Sequence, residues 1–321
     1  YNYGAMNHMA KEDQYAGEVI QAGMESCAKE LGIEIRTGTK GVDLIMEDGR
    51  CAGVNVENNN KESYAIKAQQ TIIATGGFCS NKDLLKEYAP GYEVFNTSNQ
   101  MGTTGDFVKV FEENGFKMEH MDNVRLFPNI IVPRRDLTGG ADLSILVNKE
   151  GARFISENAG GLELGNAIQA QTDGAVFSIT DKTGYDSFYR IRKHVDLGYY
   201  SQGETLEELA QALGIDGAGL EAAVAEFNSA AQEGKEDALL KETPSRALDA
   251  QGPYYGVRIE AANHMTKGGV SCNENAQVLY EDGTVVEGLY ASGEVTWQSG
   301  GYSQSVCFGR VAGEQAAANL K

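Results

Sequence analysis

The sequence predicts an α/β domain interrupted by an inserted α+β domain between about residues 120 and 258. Three observations carry this reading. Over the first part of the chain, runs with the two-residue period of strands alternate with segments at helical spacing. The middle changes texture, with hairpin signals followed by two polar-faced helices. After residue 258 the pattern returns to strands and closes with one helix, as expected when a domain resumes after an insertion.

Each element has its own warrant. Gln14 to Leu31 reads as an amphipathic helix: Ala16, Val19, Ile20, Met24, Cys27 and Leu31 share one face, and Gly32 stops it. Ile33 to Arg36 reads as a short strand. Val42 to Glu47 and Cys51 to Glu57 flank Asp48-Gly49, a strong hairpin turn. Thr71 to Ala74 reads as a buried strand ending in Thr75-Gly76-Gly77. A helix follows at Asn81 to Tyr88, and another starts at Asp106 as N-cap and stops before Gly115. Ser144 to Val147 and Ala152 to Ile155 flank Asn148-Lys149-Glu150-Gly151, a second hairpin signal. Ala175 to Thr180 is a strand, and Thr205 to Leu213 and Gly219 to Gln232 are helices. Asp282-Gly283 marks a turn, Gly288 to Ala291 a strand, and Ser303 to Leu320 the final helix. There is no internal repeat.

Composition narrows the function. Against 46 acidic residues stand 27 basic ones, for a formal charge of −19, which excludes a phosphate-tracking face and nucleic acid as partner. With 41% apolar and 23% charged residues the chain packs a core rather than remaining disordered. No apolar run approaches the roughly 20 residues of a membrane span. The 39 glycines, with only 5 prolines and no low-complexity tract, serve turns and close backbone approaches. Cys27, Cys51, Cys79, Cys272 and Cys307 are odd in number, and no Cys-x-x-Cys occurs, so neither a disulfide scaffold nor a metal site is expected. Unpaired thiols suit a reducing compartment, so the expected location is cytoplasmic. The sequence opens on Tyr1 with no initiator Met and no signal pattern, so it reads as a processed chain or a piece of a longer one.

Two glycine motifs invite a ligand. Gly217-Ala218-Gly219-Leu220-Glu221-Ala222 fits the dinucleotide fingerprint as a string, with Asp237 further on. The mechanism rejects it: the fingerprint needs a strand feeding its first glycine, and here a helix precedes. Strand-then-Ala74-Thr75-Gly76-Gly77 suits it better, because small residues at a strand end let a ligand touch backbone amides. Gly293-Glu294, after the strand Gly288 to Ala291, offers a carboxylate to sugar-like hydroxyls. Gly300-Gly301 then opens the last helix, whose N-terminus stabilises anionic charge.

Thr71-Ile72-Ile73-Ala74-Thr75-Gly76-Gly77-Phe78, Thr104-Gly105-Asp106, Ile145 to Phe154, Gly288 to Thr296 and Phe308 to Gly313, in that order, resemble the fumarate reductase/succinate dehydrogenase flavoprotein family. Thr266-Lys267-Gly268-Gly269 is similar to one motif of its 3-ketosteroid dehydrogenase members. The resemblance implies a Rossmann-like FAD-binding domain in two pieces, 1–120 and 259–321, closed by a capping domain over 121–258. It implies FAD as cofactor and hydride transfer between flavin N5 and a carbon next to an activating group. Ala74, Thr75 and Gly76 would lie along the ADP half of FAD, with Gly77 completing the motif, and Val42 near the adenine. Asp106 matches the flavin-contacting aspartate and Glu294, after Gly293, the ribityl-binding glutamate. Gly301 and Tyr302, with Ser303 beside them, would meet the pyrimidine end.

Two departures matter. The Gly-x-Gly-x-x-Gly unit with which the family opens has no counterpart before Gln14, so the N-terminal βαβ is expected to be missing. The family's carboxylate-binding histidine is matched by His264, but Phe127-Pro128-Asn129 replaces its His-Pro-Thr, and its two arginines align with Gly161 and near Thr296. A dicarboxylate needs bidentate cationic clamps. The expectation is therefore an FAD-dependent reductase of an activated C=C in a small molecule other than fumarate, with an unidentified electron donor. His264 reads as a hydrogen-bond donor to a carbonyl or as a structural histidine, and Tyr302 as a proton donor or as a backbone contact. Tyr254 and Tyr255 read as cap-closing or core residues, and Cys79 and Cys307 as inert packing. The alternatives are a 3-ketosteroid-type Δ-dehydrogenase and a non-catalytic interaction module.

Overall fold

In the computed structural model, residues 15–139, 141–298 and 301–320 are described. The chain forms two compact units, Tyr1–Lys40 with Glu57–Glu62, and Gly41–Val56 with Ser63–Lys321. Within the first, the helix Ala16–Glu30 buries none of its residues. Its expected first residue, Gln14, lies outside the described residues.

The second unit is built on two main sheets. The six-stranded sheet starts with the hairpin Thr39–Glu47 and Arg50–Asn58, of which residues 41–47 and 50–56 fall in this unit. Both residues of its turn have positive φ, Asp48 at 50° and Gly49 at 78°, the geometry whose twist matches paired strands. Ser63–Lys67 adds to one side. Thr71–Ile73 lies parallel to Val285–Ala291, with Ile73 opposite Ala291, and Gln277–Leu279 joins antiparallel. The two glycine-rich strand ends therefore lie side by side. A core of Leu44, Cys51, Ile73, Phe107, Phe111, Val270, Val286 and Leu289 seals one face. Phe107, Phe111, Phe116 and Tyr280 form an aromatic ladder through it, with centroid spacings of 5.8, 6.0 and 5.3 Å.

The seven-stranded sheet centres on the long strand Tyr254–Thr266, flanked by Val124–Ile131 and Val176–Asp181, with Asp136–Leu137 and Ile145–Asn148 outermost. Ser201–Gly203 and Asn96–Thr97 also pair with the long strand. Both faces are covered, so Val176–Asp181 is buried throughout and most of Tyr254–Thr266 is buried rather than alternating, Arg258 being its one exposed residue. Val176, Tyr255, Val257 and Ile259 pack with the helix Gly161–Gln169; Phe177, Ile179 and Tyr254 pack with the helices Leu206–Leu213 and Gly217–Glu233. Tyr254 and Tyr255 are core residues, Tyr255 stacking on Tyr185 at 5.3 Å. Two buried ionic staples tie the irregular segment after the second of these helices to the sheet. Arg153 bridges Glu157 and Asp237, each at 2.7 Å, and Arg246 pairs with Asp181 at 2.5 Å.

The helix pair around Gly217 is a helix–turn–helix: Gly214 ends the first helix at φ 71°, and the Asp216 side chain caps the second. Three local expectations are corrected. Ile33 to Arg36 is irregular, because Ile33 and Ile35 are exposed and find no sheet partner to reward an extended run. Ala152 to Ile155 makes one isolated bridge, Val147 to Arg153, since Arg153 turns into its ion pairs. The helix expected from Asp106 is Val108–Glu113, with Phe107 at its N-cap; the Asp106 carboxylate accepts instead from Thr104 Oγ1 at 3.0 Å. Among the described residues no helix is long and apolar enough to cross a membrane, and no group of three acidic, His or Cys side chains could hold a metal ion.

Candidate functional site

The centre of the site is a buried carboxylate. Glu294 follows Gly293, whose φ of 83° lets the chain turn sharply off the strand Val285–Ala291. Its oxygens accept from the Thr266 backbone N–H at 2.9 Å and from Asn99 Nδ2 at 3.1 and 3.0 Å. Burial raises its pKa, while the Asn99 and Thr266 donors oppose the rise. Gly77 closes the cradle. A Cβ there would fall on Thr266 Oγ1 and within 2.5 Å of Glu294 Oε1, so only glycine lets the strand end approach this closely. Thr266 Oγ1 also accepts from Phe78 N at 3.3 Å, and Gly105 N donates to Gly77 O at 3.1 Å. These bonds join the segments around residues 77, 99, 105, 266 and 294.

His264 lies two residues before Thr266 on the long strand, at a β-bulge. Asn263 faces Leu126 and Met265 faces the next residue, Arg125, so His264 is the extra residue in the ladder. A bulge re-aims the inserted side chain. His264 Nδ1 lies 2.9 Å from Ser98 Oγ, next to Asn99 of the Glu294 cradle, and its ring meets the edge of Phe127 at 4.7 Å. Burial lowers its pKa, and the charges of Arg125 and Arg190 lower it further, so the imidazole is neutral at neutral pH.

The last helix, Tyr302–Ala318, opens at Gly301, φ 117°, with no side-chain cap. Its first N–H groups therefore face outward as a donor set for a ligand's oxygens. Ser305 N donates to Gly301 O at 3.1 Å, and Ser292 Oγ donates to Ser305 O at 3.2 Å, locking this helix start to the strand end before Gly293.

A family model described as an FAD binding domain matches residues 4–306. The chain belongs to this family. It is 33% identical to the fumarate reductase (cytochrome) of Shewanella frigidimarina over 93% of its own length and 54% of that protein. It thus spans about half the length of the curated relatives it matches. Among solved structures it resembles the open conformation of a flavocytochrome c3 fumarate reductase with a TM-score of 0.82 and 31% identity, over 97% of this chain and 57% of that one. It also resembles the 3-ketosteroid Δ1-dehydrogenase from Sterolibacterium denitrificans, with a TM-score of 0.68 and 27% identity, over 94% and 63% of the two chains. FAD is the cofactor of this FAD-binding domain. The residues present fit it: a glycine cradle that a Cβ would fill, a buried carboxylate, and an uncapped helix start are the donor and acceptor set that a polyhydroxylated chain and an anionic ring require.

The structure brings Gly76, Gly77, Gly293 and Glu294 together, with Asp106 next to Gly105 and with Gly301 and Ser305 tied to the same strand end. Ala74 and Thr75 are exposed in sequence with them. Val42 lies 38% exposed on the first hairpin, beside Gly41, which abuts Phe107; no bond joins it to the cradle. Tyr302 and Ser303 are exposed at the helix start, and no contact links Tyr302 to His264. Gly300 lies outside the described residues. Cys79 is buried near Glu294 and its thiol is pushed far up by burial, so it is inert; Cys307 is exposed. Sequence reading missed Ser98, Asn99, Arg125 and Arg190. Arg125 was legible in principle, two residues before Phe127 on a strand; Arg190 gave no signal, because only the tertiary fold lets its charge act on His264.

Proposed function

We propose that this chain is the flavin-carrying part of an oxidoreductase that transfers a hydride between flavin N5 and an activated C=C of a small organic substrate other than fumarate. The observation that carries the reading is His264: a bulge aims a neutral imidazole two residues from the Thr266–Glu294 cradle. FAD, when bound, supplies the hydride acceptor and donor. The rest falls to the chain itself. Glu294, Gly77 and Gly293 hold the ribityl side, Ala74, Thr75 and Gly76 the ADP side with Val42 toward the adenine, and Asp106 contacts the flavin. The amides of Gly301, Tyr302 and Ser303 receive the pyrimidine oxygens. Ser98 fixes the His264 ring, which then offers its other nitrogen to the substrate's activating oxygen. Residues 121–258 act as the cap, which the long strand joins to the flavin region near residue 258.

Fumarate itself is disfavoured because no guanidinium stands at Gly161 or Thr296 to clamp a second carboxylate. The test uses the complete polypeptide with flavin reduced anaerobically. A panel of enoates and enones is added and reoxidation is followed at the flavin band. Reoxidation by at least one is expected, and none would overturn the proposal. Thr266-Lys267-Gly268-Gly269 supports a second reading as a ketosteroid-type dehydrogenase. Bleaching of oxidised flavin by a saturated ketosteroid, without a donor, is its signature.

A further inference from the structure

Away from His264, the long strand Tyr254–Thr266 has a gap in its pairing. On one edge Val124–Ile131 accompanies it from Ile259 to Thr266. On the other edge Val176–Asp181 pairs as far as Ile259, and Asn96–Thr97 takes over only at Ala262. Glu260 and Ala261 therefore lie between two ladders, and a cavity of about 320 Å³ opens there. Val94, Val132 and Ile168 give it an apolar wall. Neither Ser98 nor Phe127, which meet His264, lines it.

Three charged side chains line this cavity: Asp173, Arg258 and Glu260. Asp173 is committed to Lys149, which holds its carboxyl below the usual range. That leaves Arg258, the one exposed residue of the strand, and Glu260. Two residues apart, they share a face at a spacing of roughly 7 Å along the strand. They do not pair with each other. Among the described residues Arg258 meets no carboxylate at ion-pair distance, and Glu260 accepts from Asn96 Nδ2 at 3.0 Å through Oε2, leaving Oε1 open.

One open guanidinium and one open carboxylate oxygen, set apart beside an apolar wall, select the charge of an occupant. A plain anion would meet Glu260, and a plain cation would meet Arg258. A molecule bearing both charges satisfies both poles. Its carboxylate takes parallel donors from Arg258, its ammonium donates to Glu260 Oε1, and its apolar part lies on Val94, Val132 and Ile168. The volume is at the small end of ligand sites.

We propose that this cavity binds a free α-amino acid with an aliphatic side chain, and that its occupancy is felt at His264. The route is one short segment. Asn96, which holds Glu260, begins the run whose Ser98 lies 2.9 Å from His264 Nδ1 and whose Asn99 holds Glu294. An ammonium arriving at Glu260 competes with Asn96, two residues from Ser98, for the same carboxylate.

Calorimetric titration of the complete polypeptide compares L-leucine with 4-methylpentanoate, which lacks the ammonium, and 3-methylbutylamine, which lacks the carboxylate. Leucine is expected to bind at least about tenfold tighter than either. Arg258→Gln is expected to weaken leucine about tenfold without weakening the amine, and Glu260→Gln to do so without weakening the acid. Equal binding of the three, or binding of none, overturns the site, and this comparison needs no variant to fold. In histidine-labelled protein, leucine is expected to move the His264 ring resonance, identified by its loss in His264→Gln. Leucine bound with that resonance unmoved overturns the link to His264. Neither readout uses turnover, so failure of the hydride-transfer reading shows separately, as reduced flavin that no enoate or enone reoxidises.

Discussion

Replacing His194 with glutamine should flatten the acid side of the stability profile. His194 is 2% exposed on the helix Tyr189–Asp196 that also carries Arg190. Its Nδ1 lies 3.0 Å from Thr138 Oγ1, which in turn lies 2.7 Å from Tyr200 Oη, so the imidazole is one end of a buried hydrogen-bonded chain. Burial brings its pKa down from 6.5 to about 4; Arg190 and Lys193 push the same way, and Asp136 opposes. The sign follows from proton uptake. Below pH 6.5 the unfolded chain binds a proton that the folded one refuses, so stability is fully present above 6.5 and falls as pH drops toward 4. With those two values the loss between pH 7 and pH 5 is about 2 kcal/mol, with a limiting slope of about 1.4 kcal/mol per pH unit. Glutamine keeps a hydrogen-bonding partner for Thr138 but cannot titrate. Urea unfolding at pH 7, 6 and 5 should show wild type losing about 2 kcal/mol more than His194→Gln over that range. Parallel profiles for the two proteins would refute the reasoning, because every other titrating group is common to both.

Other outcomes follow from the same geometry. Gly77→Ala drives a methyl into Thr266 and Glu294, at a cost of about 1–3 kcal/mol; flavin content after reconstitution, read at the flavin band, should drop accordingly. Asp237→Asn leaves Arg153 half-paired in the interior and should cost about 3 kcal/mol in urea unfolding, with flavin content unchanged. His264→Ala should cut the rate of flavin reoxidation by about 100-fold or more without altering flavin content. Because burial and two arginines hold His264 neutral, wild-type turnover should stay level through neutral pH and fall only below the ordinary imidazole range.

The glycine-rich strand ends and the Gly293-Glu294 step were legible because they are contiguous: a strand, a turn and a small residue leave a local signature. The rejection of Gly217-Ala218-Gly219 held for the same local reason, a helix before it where a strand is needed. The start at Asp106 and the strands at Ile33 to Arg36 and Ala152 to Ile155 were misread where propensity was outvoted. A strand needs a partner edge, and Arg153 was committed to Glu157 and Asp237 instead.

The sequence by itself determined the family, the order of the elements and the two glycine-rich strand ends that the fold sets side by side, since all are written in short contiguous motifs. Only the tertiary structure decided what surrounds His264. A bulge that no local pattern announces re-aimed it between Ser98 and Phe127. The pairing of strands and the docking of one helix brought the charges of Arg125 and Arg190 to bear on it. Whether a charge meets a partner is a property of three-dimensional neighbours, and a list of acidic and basic residues along the chain does not contain it.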